Sequence, residues 1–267
     1  MISDALRSLC RATFWPDGSV RRILIGPSTG LRYRLFPVYG LGPIFGRWEP
    51  HLQRLMATIL KPGNVAYDVG GNYGIHSLLM ARLVGPSGTV CTFEPHPTIF
   101  EACAENVQLN RFKNVKLLNV AVSDAPGTIP FSVGDHAGAG HVIPDQSETA
   151  AFTVRRDTID RLVADGTIPP PTFVKVDVEG HEAAALKGAA ATVTQHRPVL
   201  AIDLHHPQAD RSVGRFLIDH DYVAFRQLSL EPIINLRHGW PVPDGIHGAV
   251  LAVPRADTQR YPWLPKR

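Results

Sequence analysis

The chain has 267 residues, 44% of them hydrophobic and 19% charged, which is the composition of a globular protein and excludes a disordered one. A formal net charge of +3, with no basic run beyond pairs such as Arg21-Arg22 and Arg155-Arg156, argues against a nucleic-acid partner. The three cysteines (Cys10, Cys91, Cys103) fit neither a disulfide framework nor a zinc site, and no segment reaches the roughly 20 apolar residues of a membrane span or reads as a signal peptide, so a reducing, cytoplasmic setting is expected.

Residues 1–60 read as an extension. Ile23-Leu24-Ile25 and Leu31-Arg32-Tyr33-Arg34-Leu35, around Gly26 and Gly30, predict a small hairpin. Leu52, Leu55, Met56, Ile59 and Leu60 recur at helical spacing, and Lys61-Pro62-Gly63 ends that helix. From Asn64 the pattern alternates strand and helix, marking a main domain over 61–256. Strands are expected at 65–69, 89–93, 115–120, 173–178, 198–204, 222–226 and 248–253. Helices are expected at 75–83, 98–110, 157–164, 182–196 and 210–219. Residues 123–152, rich in Gly, Pro, Asp and His, read as an insertion or mobile loop, with at best short strands near Phe131 and Phe152. Residues 257–267 read as a loose tail.

The alternation predicts a doubly wound α/β fold, a mostly parallel seven-stranded sheet with helices on both faces. Such sheets bind ligands beyond the carboxyl ends of their strands. Three features lie there. Asp68-Val69-Gly70-Gly71-Asn72-Tyr73-Gly74 links the first core strand to a helix, where glycines allow close backbone approach and free N–H groups favour a carboxylate. Glu94, 20 residues beyond Gly74, ends the next strand, where a carboxylate can accept both ribose hydroxyls. Residues 119–122 follow the third strand, where an adenine edge could be read. A dinucleotide needs G-x-G-x-x-G for its pyrophosphate; G-G-N-Y-G does not fit, and Asp68 would oppose a pyrophosphate. That acid suits the cationic amino-acid moiety of S-adenosylmethionine. The cofactor set is then Asp68, Gly70, Asn72, Tyr73, Gly74, Glu94, Pro95, Asn119, Ala121 and Asp177.

Further motifs carry a more specific likeness. Asp68-x-Gly70-x-Asn72-x-Gly74, Phe93-Glu94-Pro95, Asn106-x-x-x-Asn110 and Ala121-x-Ser123-Asp124 precede Lys175-x-Asp177-x-Glu179-Gly180-x-Glu182, which is followed by Leu186-x-Gly188-Ala189. Together, with Gly46-x-x-Glu49 upstream, they resemble the FkbM family of methyltransferases over about residues 46–205. The resemblance implies a class I methyltransferase fold and methyl transfer, usually to a hydroxyl of a sugar or secondary metabolite. The sequence departs from the family at Gly71, where alanine is common, and at Asp203, where glutamate is usual; the first departure is expected to be harmless.

Lys175, Asp177 and Glu179 alternate along one strand and would share a face. Lys175 has two readings: an ion-pair partner of Asp177 or Asp203, or a desolvated base beside the acceptor. Asp177, Lys175, Glu179 and His205 are the catalytic candidates. Glu179 could also cap the next helix, and Glu182 would sit in its first turn. Asp177 and Asp203, with His205 or His206, could hold a divalent cation such as Mg. His76, His136, His141 and His181 read as surface or loop residues, and His96 as a possible border of the adenosine. No Asn-Pro-Pro-Tyr or Asp-Pro-Pro-Tyr run follows the fourth strand, and Pro169-Pro170-Pro171 stands at its wrong end, which favours a small-molecule or glycan oxygen acceptor over a nitrogen one. The 123–152 insertion could form a lid, and the first 45 residues could close the other side. A non-catalytic adenosylmethionine binder or adaptor is the alternative; a nicotinamide-linked oxidoreductase is disfavoured by the glycine spacing.

Overall fold

The computed structural model describes residues 16–132, 141–142, 152–205, 207–239 and 241–265. Cys10, His136 and His206, with residues 1–15, 133–140 and 143–151 of the expected extension and insertion, lie outside the described residues. Strands β1 (Val20–Arg22) and β2 (Arg32–Arg34) pair antiparallel. The hairpin's first strand lies earlier than expected, because Leu24 and Ile25 leave the ladder after Ile23 donates its last bond, to Leu31 O at 2.8 Å. Helix α1 (Pro50–Ile59) follows, with Pro at its start and Leu52, Leu55, Met56 and Ile59 buried.

The chain then runs β3 (Val65–Val69), α2 (Ile75–Val84), β4 (Thr89–Phe93), α3 (Pro97–Leu109), β5 (Val115–Leu118), β6 (Ala121–Val122), β7 (Gly127–Ser132), β8 (His141–Val142) and β9 (Phe152–Asp157). It continues through α4 (Ile159–Ala164), β10 (Phe173–Val176), α5 (Glu182–Lys187), α6 (Ala190–His196), β11 (Val199–Ile202), α7 (Pro207–Asp219), β12 (Tyr222–Arg226) and β13 (Val250–Pro254). Seven strands form the main sheet in the order β12-β13-β11-β10-β3-β4-β5. All pair parallel except β13, antiparallel to both neighbours. This is the doubly wound α/β fold that the alternation predicts, with the class I arrangement that the resemblance implies. Residues along each strand alternate between the two faces: Tyr67, Val69, Val174 and Val176 pack in one apolar core, Ala66 and Phe173 in the other. Strand order reverses between β3 and β10, so a crevice opens beyond their carboxyl ends.

Three expectations change. The region read as a loop contributes a second sheet, ordered β6-β9-β7-β8, around Ala121, Ile129, Phe131, Val142 and Val154. The expected helix over 182–196 is two helices. Gly188 is pressed against the second sheet, where an added Cβ would meet Ser123 O at 1.9 Å, and the new helix start is capped by Asp160, whose carboxylate accepts from Ala191 N and Thr192 N at 3.0 and 2.7 Å. The carboxyl-terminal segment is not loose: Leu264 is buried, and Tyr261 and Trp263 pack on the same core.

Candidate functional site

The turn after β3 is held against its neighbours. Gly70 adopts a φ of +81°, and a Cβ there would lie 1.9 Å from Asp177 O, so this backbone contact needs glycine. At Gly71 the space for a methyl group is filled by Thr92, whose Cγ2 would lie 2.2 Å from a new Cβ. The departure from alanine is thus matched by a neighbour. Asn72 is left-handed at φ 49°, its Oδ1 accepting the Tyr73 N–H at 2.8 Å, and its own N–H donates to Glu94 Oε2 at 2.8 Å. The other oxygen, Glu94 Oε1, accepts the His96 N–H at 2.9 Å. Burial pushes the Glu94 carboxyl up to about 7, against the pull of those two N–H groups.

A cavity of about 390 Å³ opens here. Gly70, Asn72, Tyr73, Glu94, Pro95, Ala121 and Asp177 of the expected cofactor set line it, while Asp68, Gly74 and Asn119 do not. Asp68 lies beneath the turn, fully buried; its Oδ2 accepts from Ser77 Oγ at 2.6 Å and its Oδ1 is 3.5 Å from Lys175 Nζ. Asp68 was expected to hold a cationic ligand through water or directly; its burial leaves no direct contact, and its charge is met by Lys175. Gly74, the N-cap of α2, lies under Cys103. The Asn119 amide donates to Glu94 O and Pro95 O at 2.8 and 2.9 Å and braces the strand end instead of facing a ligand.

Lys175, Asp177, Glu179, Asp203 and His205 all line the cavity. Lys175 stands directly opposite Asp68 in the β3–β10 ladder. Its Nζ is 3.1 Å from Asp177 Oδ2 and donates to Gly70 O at 3.2 Å. Burial would lower the pKa of this ammonium, but Asp177, Asp68 and Glu49 outweigh it and hold it well above its usual value. The base reading of Lys175 is corrected on that ground: it is a buried counter-ion, paired with Asp177 and Asp68. Asp177 is the mirror case: burial would raise its pKa, Lys175 outweighs this, and it stays below the usual carboxylate range.

The strand ends at Val176, so the alternation does not extend to Glu179, which adopts a φ of 52° in the turn. Glu179 does not cap α5; Glu182 serves that end, its Oε1 accepting the Gly180 N–H at 2.9 Å. The same oxygen lies 2.9 Å from His205 Nδ1, and His205 Nε2 is 3.7 Å from both Asp177 Oδ1 and Glu179 Oε2. The Glu182 bond raises His205 to about 9, against its burial, so its imidazole is cationic at neutral pH in the absence of a ligand. Burial raises the pKa of Asp203. One ligand atom each of Asp177, Asp203 and His205 lie within 4.8 Å of one another.

Among the wall residues that sequence reasoning missed are Glu49 and His76. Glu49 Oε2 lies 3.2 Å from His76 Nε2. His76 is buried, not on the surface, and burial lowers its pKa to about 4, so it is neutral. The signal was available: α2 is apolar on nearly every side, so the polar residues at its start had to be buried as well. His181 is likewise buried, its Nε2 3.0 Å from Ser123 Oγ. His96 caps α3, with Nδ1 accepting from Ile99 N at 3.4 Å, and packs edge-on against Phe152, outside the cavity wall. The extension contributes Tyr39 and Trp48 to the wall, and the second sheet contributes Phe131 and Val142.

The chain is 32% identical to a hexuronic acid methyltransferase, AglP, from Haloferax volcanii, over 75% of this chain and 82% of that one. It is 41% identical to the 31-O-demethyl-FK506 methyltransferase FkbM of Streptomyces tacrolimicus over 26% of this chain and 25% of that one. The crystal structure of a methyltransferase FkbM from Methylobacillus flagellatus KT superposes with a TM-score of 0.49 at 16% identity, over 75% of this chain and half (50%) of that longer one. Residues 68–228 match the family described as the methyltransferase FkbM domain, and the chain belongs to that family.

Proposed function

We propose that this S-adenosylmethionine-dependent methyltransferase methylates a hydroxyl oxygen of a sugar or secondary metabolite. The observation that carries the cofactor side is Glu94, a buried carboxylate aimed by two backbone N–H groups beside a glycine turn whose backbone leaves no room for a Cβ. Each of its oxygens keeps lone pairs free for a ribose hydroxyl. Val120, Ala121 and Val122 give the cavity an apolar wall suited to a purine. S-adenosylmethionine, bound there, supplies a methyl group on a cationic sulfur, which the surplus of carboxylates around Lys175 favours. Asp177 faces the acceptor side, kept ionised by Lys175, and Glu179 and His205 complete the rim. The relatives named for a hexuronic acid and for the 31-O position of FK506 support an oxygen acceptor. We also infer a cytoplasmic setting, supported by the buried free thiols Cys91 and Cys103; among the described residues no helix is long and apolar enough to cross a membrane.

Calorimetry with adenosylmethionine, adenosylhomocysteine and NAD tests the cofactor, and mass spectrometry of a sugar panel for the gain of one CH₂ tests the acceptor. Asp177→Ala should abolish the turnover of an enzyme, whereas an adaptor would bind adenosylmethionine and show no turnover in the wild type. A second reading places a divalent cation at Asp177, Asp203 and His205, favoured by their mutual spacing and by the Glu182 bond to the far side of the imidazole. The mixed oxygen and nitrogen donors suit Mn or Zn better than Mg. Under the first reading activity survives dialysis against EDTA; loss restored by added Mn would establish the second.

A further inference from the structure

We propose that Glu49 takes the proton from the acceptor hydroxyl, with His76 as its positioning partner, and that the acceptor enters through a second chamber beside the cofactor cavity. The inference rests on the methyltransferase reading above. This chamber, of about 160 Å³, shares Glu49, Lys175, Asp177 and Asp203 with the main cavity and adds Gln227 and the exposed Leu228. An acceptor lying there meets the cofactor cavity across those four residues.

Of the three shared carboxylates, Asp177 is already engaged by the Lys175 ammonium at 3.1 Å, and Asp203 stands within 4.8 Å of Asp177 and His205 in the candidate cation site. Glu49 is not held in that way. It occupies the N-cap position of α1, where an acidic side chain ordinarily accepts a helix N–H, yet it makes no such bond. Its backbone is left-handed at φ 40°, a conformation a glutamate adopts only under constraint from its surroundings. The constraint turns the carboxylate into the wall common to both chambers, 3.2 Å from the buried His76 Nε2. The side chain is 33% exposed, which gives an accepted proton a route to water. In the step itself the hydroxyl oxygen bonds to the methyl carbon, and the carbon–sulfur bond breaks with its electron pair left on sulfur. The hydroxyl proton passes to the Glu49 carboxylate. Burial, Asp177 and Asp68 all raise the Glu49 pKa, against Lys175 and His205, which makes it a stronger base than an exposed glutamate.

The test uses the full chain. Glu49→Gln should cut kcat by about 100-fold or more, with adenosylmethionine affinity and melting temperature unchanged. Glu49→Asp should recover part of the loss, and His76→Asn should lower kcat by less, without raising KM. Near-wild-type turnover in Glu49→Gln, or turnover lost together with cofactor affinity, would overturn the proposal. A wild-type protein that binds adenosylmethionine but methylates no sugar of the panel defeats the acceptor reading alone. Methanol release from adenosylmethionine, with water as acceptor, then decides the inference. A fall in Glu49→Gln supports it; equal release from both proteins, or none from wild type, overturns it.

Discussion

Glu94 joins two opposing influences at one carboxyl group. Two N–H groups favour its ionised form, and burial, the larger effect, raises it to about 7. Ribose hydroxyls donate to the ionised form, so a proton competes with the cofactor. Adenosylmethionine affinity should be flat above about pH 7 and weaken by up to about tenfold per unit below it. Calorimetry across that range checks this, and Glu94→Gln should bind more weakly and lose the dependence. Gly71 and Thr92 offer a second test. An alanine at 71 would collide with Thr92 Cγ2, and Thr92 Oγ1 is pinned 2.8 Å from Ser77 Oγ. Gly71→Ala should cost about 1–3 kcal/mol in denaturant unfolding, and Thr92→Ser in the same chain should restore most of it. The glycine turn and Glu94 were legible because strand ends and φ-permissive residues leave local marks in a sequence. The role of Lys175 was legible in part: its pair with Asp177, two positions on, was one of two readings, but its second partner, Asp68, lies 107 positions away and is brought opposite only by strand register.

At the scale of elements, Asn106 and Asn110 show what a motif can conceal. Asn106 is fully buried on α3; its Oδ1 accepts the Arg34 N–H at 2.9 Å, and its Nδ2 donates to Tyr73 O at 2.9 Å. Asn110 brackets the neighbouring residue, accepting from Arg32 N and donating to Arg32 O at 2.8 and 2.7 Å. Both amides dock the amino-terminal hairpin, and Asn106 also grips the glycine turn. Asn106→Ala should cost about 2–4 kcal/mol and weaken adenosylmethionine binding. Asn110→Ala, nearer to solvent, should cost about 1 kcal/mol and leave binding intact. Thermal melts and calorimetry separate the two. The long apolar strands and α2 were legible as apolar runs set between glycine and proline breaks. The second sheet was not, because β7 carries Gly127 and Pro130 and shows only Ile129 and Phe131 as an inward pair. The break between α5 and α6 was hidden for a related reason: Gly188 yields to a contact with Ser123 that only tertiary packing creates.

At the scale of the whole molecule, three parts meet at one cavity: the sheet's switch point, the amino-terminal extension through Tyr39, Trp48 and Glu49, and the second sheet through Phe131 and Val142. The alternating pattern foretold the place of the first, beyond the carboxyl ends of the parallel strands, while the strand order itself is a property of the fold. The other two walls depend on how separate units pack, and no local periodicity encodes that. The Asn106 bridge gives this convergence a thermodynamic meaning. A ligand that orders the glycine turn and a hairpin tied to that turn by one amide must strengthen each other by equal free energies. Cofactor binding should therefore slow hydrogen exchange at the Arg34 amide, and Asn106→Ala should abolish the slowing. The hairpin, which itself lends Tyr33 to the wall, then reports occupancy of the cavity.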